Sequence, residues 1–266
     1  MAKINFEESK ECLDLMCDDK FKTDFSNLLR SRYPLFYITT NEERRFIKFL
    51  DSFCAVKGYE CYLWDAYNGL VNLNDRKEVT SKTEDLKSNP LAILDYIITQ
   101  AKGYENRKSG IQDKKDAGVN GVIFVLLDYF RFIEPNPDIE RRLKALSDVN
   151  SIVGTIITGP YYKTTEVLSN LVPVIDFPFA NQNEIKKALY TVAEGASLNV
   201  PDIISETRKM EKELVDSVRG LTMVEAQTAF CKSLVCHRGW NIKTILEEKR
   251  QIISKSGLLE YFDKTD

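Results

Sequence analysis

Between Val122 and Leu127 five of six positions are branched aliphatics and the sixth is Phe124. An apolar run without polar alternation predicts a strand buried on both faces, and this one delivers Asp128 to its C-terminal edge. Other stretches carry different periods. From Phe6 to Ser31, Leu13, Phe21, Phe25, Leu28 and Leu29 recur at helical spacing, interrupted by the acidic "CDDK", which predicts one or two leading helices. "YPLFYITT" has the aromatic and β-branched character of a strand, and "NEERRFIKFLDSFCAVKG" places Phe46, Ile47, Phe49 and Leu50 on a helical stripe closed by Gly58. "YECYLWD" predicts a second strand. The polar "NGLVNLNDRKEVTSKTEDLKSNP" reads as loop or hairpin before a helix over "PLAILDYIITQAK", with Pro90 in its first turn. "GYENRKSGIQDKKDAG" reads as a mobile polar loop. After the Asp128 strand come a helix "DIERRLKALSDV", a strand "IVGTIITG" and a short strand in "LVPVIDFPF".

Strands alternating with crossover helices predict an α/β fold, a parallel sheet of about five strands with helices on both faces. From Asn181 the pattern becomes helical throughout, with segments near 181–194, 201–218, 222–236 and 241–254. The expected organisation is leading helices in 1–30, an α/β body in 31–180 and an all-helical lid and tail in 181–266.

Composition narrows the partners. With 266 residues, 43% hydrophobic and 29% charged, the chain can bury a sizeable core. A net charge of −3 and a pI near 5.5 supply no bulk attraction for nucleic acid or an anionic membrane. Proteins or small molecules are the expected partners. The six cysteines show no CxxC spacing and are expected as reduced thiols. The first residues lack the apolar core of a signal peptide, and no apolar run approaches the ~18 residues of a membrane span. A cytoplasmic protein is expected, or a stromal one if the gene is plastid-borne.

Strand, helix, strand, helix, acid-tipped strand, helix, two strands and a helical lid is the layout of an AAA+ module. The likeness becomes specific at "SRYPLFYITTNEERR", "YLWD", "NPLAILDYI", "GVIFVLLDYFRFIE", "TIITGPYYKTTEVLSNLVPVIDFPF" and above all "EEKRQIISKSGLLEYF". The chain resembles, over nearly its whole length, the N-terminal module of a two-module AAA ATPase family first noted as a hypothetical chloroplast reading frame. The resemblance implies an intact ATPase module downstream of residue 266. ATP and Mg²⁺ are expected there, with no cofactor in this chain.

In a working module the turn after the first strand carries GxxxxGK[ST], whose backbone N–H groups surround phosphate while its lysine neutralises charge. This chain has "YITTNEERRF" at that place, and none of its 12 glycines precedes a lysine. Thr40, Asn41, Glu42 and Glu43 instead have capping-box spacing, with Thr40 and Glu43 expected to satisfy the helix's free N–H groups. A carboxylate ~5 Å from a phosphate charge opposes it by about 3 kcal/mol at an effective dielectric of ~20, before solvent screening. Lys108-Ser109 in "GYENRKSG" follows Arg107 rather than glycine, and no apolar strand precedes it.

Asp128 stands where such modules hold Mg²⁺, but the next residue, where an acid would activate water, is Tyr129. Asp128 is expected instead to cap a neighbouring helix or to face the cleft. Thr158 ends the next strand at a sensor position. Arg141 and Arg142 stand where AAA proteins present an arginine to a neighbour's nucleotide; the alternative is two surface cations partnered with Asp138 or Glu140. His237 is the sole histidine. With Cys231 and Cys236 it could suggest a metal site, but five residues apart the two thiols lie ~140° apart around a helix, which argues against one. His237 beside buried thiols is expected, with no metal site.

Two functions remain. One is a catalytically silent AAA+-like module, the structural or regulatory half of an oligomeric ATPase assembly, touching its own downstream module, neighbouring subunits or a client protein. The other is a stand-alone ligand- or nucleotide-binding domain whose Asp128, Thr158 and lid enclose a ligand without a phosphate loop.

Overall fold

The structure is a computed structural model that describes residues 6–80, 85–106, 119–134 and 136–256. The polar loop around Lys108-Ser109 and the tail from Gly257 lie outside the described residues. The described residues divide into two compact units, one within Met1–Asp14 and Asp18–Pro178, the other within Leu15–Cys17 and Phe179–Asp266.

The first unit is built on a sheet. Its parallel strands are Leu35–Thr39 (β1), Tyr59–Asp65 (β2), Gly121–Leu126 (β4), Val153–Gly159 (β5) and Val174–Asp176 (β6), side by side in the order β2-β4-β5-β1-β6. Every residue of β4 and β5 is buried, as expected of strands covered on both faces. The five parallel strands are those expected, and the sheet carries a sixth strand besides. Gly69–Asn72 (β3) pairs antiparallel with the outer edge of β2, Trp64 opposite Leu70. The Asp65 carboxylate accepts from the N–H groups of Tyr67 and Asn68 at 2.8 and 2.7 Å, closing the turn that brings the buried Leu70 back to the sheet.

Helices cover both faces because alternate residues of each strand point opposite ways. On one side Leu35, Tyr37, Val122, Phe124, Leu126, Val153 and Ile157 share a core with Ile93 and Ile97 of Pro90–Asn106 (α4), and with Ile139 and Leu143 of a helix at Pro137–Ser147. On the other side, Phe21 and Phe25 of Asp19–Arg30 (α2) interlock with Phe46, Phe49 and Phe53 of Glu43–Lys57 (α3). Phe25 lies 5.0 Å from Phe53 and 5.9 Å from Phe36 of β1, both edge-on. Such pairs add ~0.5–1.5 kcal/mol each beyond the area they bury. A helix at Phe6–Leu15 (α1) precedes α2, whose N-cap Asp18 accepts from Phe21 N–H at 2.8 Å within the "CDDK" interruption. Gly58 ends α3 at φ +69°, a left-handed conformation glycine adopts without steric cost.

Among the described residues of this unit three further helices follow, α5 (Phe130–Ile133), α6 (Pro137–Ser147, above) and α7 (Glu166–Ser169). Asn136 caps α6, its side chain accepting from Asp138 N–H at 3.1 Å.

The second unit is helical: α8 (Gln182–Ala196), α9 (Ile203–Ser217), α10 (Met223–His237) and α11 (Ile242–Ser256). Two of these begin with complete capping boxes, Asn181 with Glu184 and Thr222 with Glu225, which answers the free N–H groups at both starts. Ile185, Leu189, Leu214, Val218, Phe230 and Ile245 form the core, and Trp240 Nε1–H donates to Thr207 Oγ1 at 2.8 Å. Leu15–Cys17 dock here as well: Asn181 Nδ2 donates to Leu15 O at 2.9 Å, and Cys17 N–H to Glu184 Oε2 at 3.3 Å.

Candidate functional site

In an open parallel α/β sheet ligands meet the C-terminal strand ends, and Thr40, Asn41, Glu42, Glu43, Asp128 and Thr158 all derive their positions from β1, β4 and β5 there. Thr40 continues the ladder, its N–H donating to Gly159 O at 2.8 Å. Its hydroxyl accepts from Glu42 N–H at 2.9 Å. The expected capping box between Thr40 and Glu43 is not formed. A box would put the first helical residue at Asn41, whereas α3 starts at Glu43 with Glu42 as N-cap and no side-chain cap bond. Thr40 is held back by the sheet, so its hydroxyl closes a turn instead.

Glu42 and Glu43 then diverge. Glu42 is buried in an ion pair with Arg45, one helical turn along, the two side chains 5% and 6% exposed. Arg45 Nη1 also donates to Pro178 O at 2.7 Å, and its guanidinium lies 4.5 Å over the Phe177 ring. Glu43 faces outward. Partial desolvation pushes its carboxyl above the usual range, and the charges of Asp128 and Asp65 push it the same way. Asn41 is exposed.

Asp128 is exposed at φ +55°, with Arg131 Nε 3.9 Å from its carboxylate. Among the described residues it caps no helix: the short α5 has Tyr129 at its N-cap and no side-chain cap bond. Tyr129 turns inward and is fully buried, its O–H donating to Pro90 O and its ring 5.4 Å from Trp64 and 5.5 Å from Phe132. Burial drives its phenol far above the ordinary tyrosine range. The residue following the acid is thus a packing residue. Thr158 is buried within β5, paired with Ile38.

Above the end of β1, Tyr37 O–H donates to Tyr161 O at 2.8 Å and its ring meets Tyr162 edge-on at 5.2 Å. Gly159 makes room for it: a Cβ there would stand 2.3 Å from Tyr37 Oη and 2.7 Å from Phe130 Cδ1. What the strand ends offer a ligand is therefore carboxylate from Glu43, Asp128 and Asp65 together with tyrosine, with the exposed Arg131 beside Asp128 and Arg44 beside Glu43. Arg45 is buried and engaged with Glu42, Pro178 O and Phe177.

Arg141 is exposed, but Arg142 is not partnered as expected. Its Nε donates to Asp95 Oδ1 at 2.8 Å, while Asp138 offers it only a backbone carbonyl at 3.2 Å. Packing of α4 against α6 brings Asp95 across, a contact invisible in local spacing. Arg45, Asp95 and Tyr37 were not singled out from sequence. Only Arg45 left a signal, its i,i+3 spacing from Glu42.

His237 Nε2 lies 2.7 Å from Thr244 Oγ1. Cys231 and Cys236 are exposed rather than buried, because Ala229, Phe230, Ser233 and Leu234 supply the inward face of α10. Among the described residues no group of three or more His, Cys, Asp or Glu could hold a metal ion, and no helix is long and apolar enough to cross a membrane.

Comparison with known proteins matches these two units separately. The profile of the SpoVK-like AAA ATPase N-terminal domain covers residues 21–177, and that of the second domain of the same ATPases covers 183–256. An AAA domain-containing protein, ycf46, of Trieres chinensis is 26% identical over 249 residues, and its counterpart in Guillardia theta 25% over 256. Each alignment covers 91% of this chain and 44% of the relative, so the chain spans less than half the length of these proteins. Among solved structures, a chain from the E. coli MS115-1 HORMA:CdnC:Trip13 complex superposes with a TM-score of 0.53 at 12% identity, covering 93% of this chain and 91% of that one. The likeness is one of fold, an AAA+ α/β body followed by a helical subdomain.

Proposed function

The chain belongs to the SpoVK-like AAA ATPase family, and from that premise we propose that it is a catalytically silent AAA+ module, the structural or regulatory half of an ATPase. ATP and Mg²⁺ belong to an intact module following residue 266, and the partners of this half are that module, neighbouring subunits or a client protein. The observation that carries the reading is the junction of β1 and α3. A hydrolytic module needs convergent N–H donors and a lysine there. This chain instead has a carboxylate in the first turn of α3, the glutamate before it locked to Arg45, and two further acids facing the same edge. Tyr129 adds to the case, because a buried phenol hydrogen-bonded to a backbone carbonyl has no free base to offer a water molecule.

Arg141, exposed on α6, is the residue we assign to a subunit contact. Arg142 is held by Asp95 and supports the position of its neighbour.

The test is steady-state phosphate release from Mg²⁺-ATP by the purified chain. Release at the buffer rate is expected, unchanged by Asp128→Asn. Turnover that survives purification and vanishes in Asp128→Asn sinks the proposal.

A further inference from the structure

The opposite, N-terminal edge of the sheet holds a different chemistry. A cavity of about 490 Å³ opens there, lined among others by Arg30, Arg32, Lys57, Tyr33, Tyr59 and Asn120. Among the described residues that line it are three cations, two tyrosines and no carboxylate. Among the described residues none of the three cations takes part in an ion pair. The chain as a whole has more acids than bases, 40 against 37, so the cavity's charge is opposite in sign to the net charge.

Part of this has an ordinary cause. Arg30 and Lys57 stand in the last turns of α2 and α3, where cations complement the helix dipole. Arg32 has no such excuse. It occupies the residue after the C-cap of α2, where Arg32 N–H bonds to Leu29 O and Tyr33 N–H to Leu28 O, both at 3.1 Å. That pair of bonds is a Schellman motif, whose central residue is left-handed and usually glycine. Arg32 takes it at φ +56°, a conformation disfavoured for any residue with a Cβ. A local cost to folding is borne by a residue that lines the cavity.

We propose that this cavity is a binding site for a small phosphate-bearing molecule, with Arg30, Arg32 and Lys57 meeting the phosphate groups and Tyr33 and Tyr59 forming its walls. Arginine presents a planar fork of donors suited to phosphate, and lysine adds a mobile point charge. The volume lies within the ~300–1,000 Å³ of small-ligand sites. Chain polyanions such as nucleic acid are disfavoured by the negative net charge of the whole chain, which repels a long backbone but not a ligand confined to one pocket. The site lies at the sheet edge away from Asp128 and does not depend on the proposed silence of that edge.

Calorimetric titration of the chain with tripolyphosphate at low ionic strength tests this. Saturable binding is expected, weakening as salt is raised. Arg32→Gly is the informative variant: it removes the guanidinium and the backbone strain together, so melting temperature should rise while affinity falls about tenfold or more. Lys57→Ala should also weaken binding, Arg141→Ala and Asp128→Asn should not. The absence of saturation to millimolar tripolyphosphate overturns the proposal, as does binding indifferent to Arg32→Gly and Lys57→Ala. A single-stranded oligonucleotide that binds more tightly than tripolyphosphate, with loss in the same variants, overturns it in favour of a nucleic-acid surface.

Discussion

Arg45→Met should be among the most damaging single changes in the α/β body. In the folded chain the guanidinium neutralises Glu42, donates to Pro178 O at 2.7 Å and covers the Phe177 ring at 4.5 Å. Methionine keeps much of the apolar stem but removes the guanidinium that faces the Glu42 carboxylate, which is 5% exposed. Removing one partner of a buried pair costs ~3–5 kcal/mol, most of it the penalty of the stranded charge. The Pro178 carbonyl loses a charged donor and the aromatic cluster a cation, so the upper half of that range is expected. Urea unfolding followed by far-ultraviolet dichroism measures it, with a constant slope showing that the unfolded reference is unchanged. The double change Glu42→Leu with Arg45→Met removes both charges and should recover part of the loss, because a buried carboxylate that has lost this guanidinium costs more than two neutral side chains. If Arg45→Met costs under ~1 kcal/mol, or the double variant is no better than the single, Glu42 is not a buried ion held by Arg45.

Two further changes probe the same strand edge. Glu43→Gln should stabilise the chain at neutral pH: a carboxyl raised by desolvation and by Asp128 and Asp65 contributes stability that is complete below the ordinary glutamate range and lost as pH rises through its folded value, so the advantage of glutamine should vanish in acid. Thermal melts of both proteins across that range check the sign; an advantage for glutamine that grows as pH falls would contradict it. Gly159→Ala should cost ~1–3 kcal/mol by driving a methyl group against Tyr37 Oη and the Phe130 ring, and Tyr37→Phe in that background should return part of it; an unchanged denaturation midpoint for Gly159→Ala would mean that the close approach is not real.

Much of the fold follows from local patterns. The unbroken apolar run of β4, the period of α3 and the switch to helices after Asn181 each reflect a face that must be hidden from water. That requirement is written in the order of side chains. Missing glycine and lysine after β1 were equally legible, since a phosphate loop is a contiguous motif. The third dimension decided the rest. Whether Thr40 caps α3 depended on whether the sheet kept it, and the bond to Gly159 O did. Asp95 reaches Arg142 across 47 positions of chain, and Asp65 joins Glu43 and Asp128 only where β2 and β4 end side by side. Charges interact through space with whatever packing brings near, so spacing along the chain foretells their partners only within a helical turn. β3 was legible only as loop or hairpin for a related reason: four residues carry too short a pattern to fix a strand, and its place was set by the turn at Asp65 and by a neighbour already in the sheet.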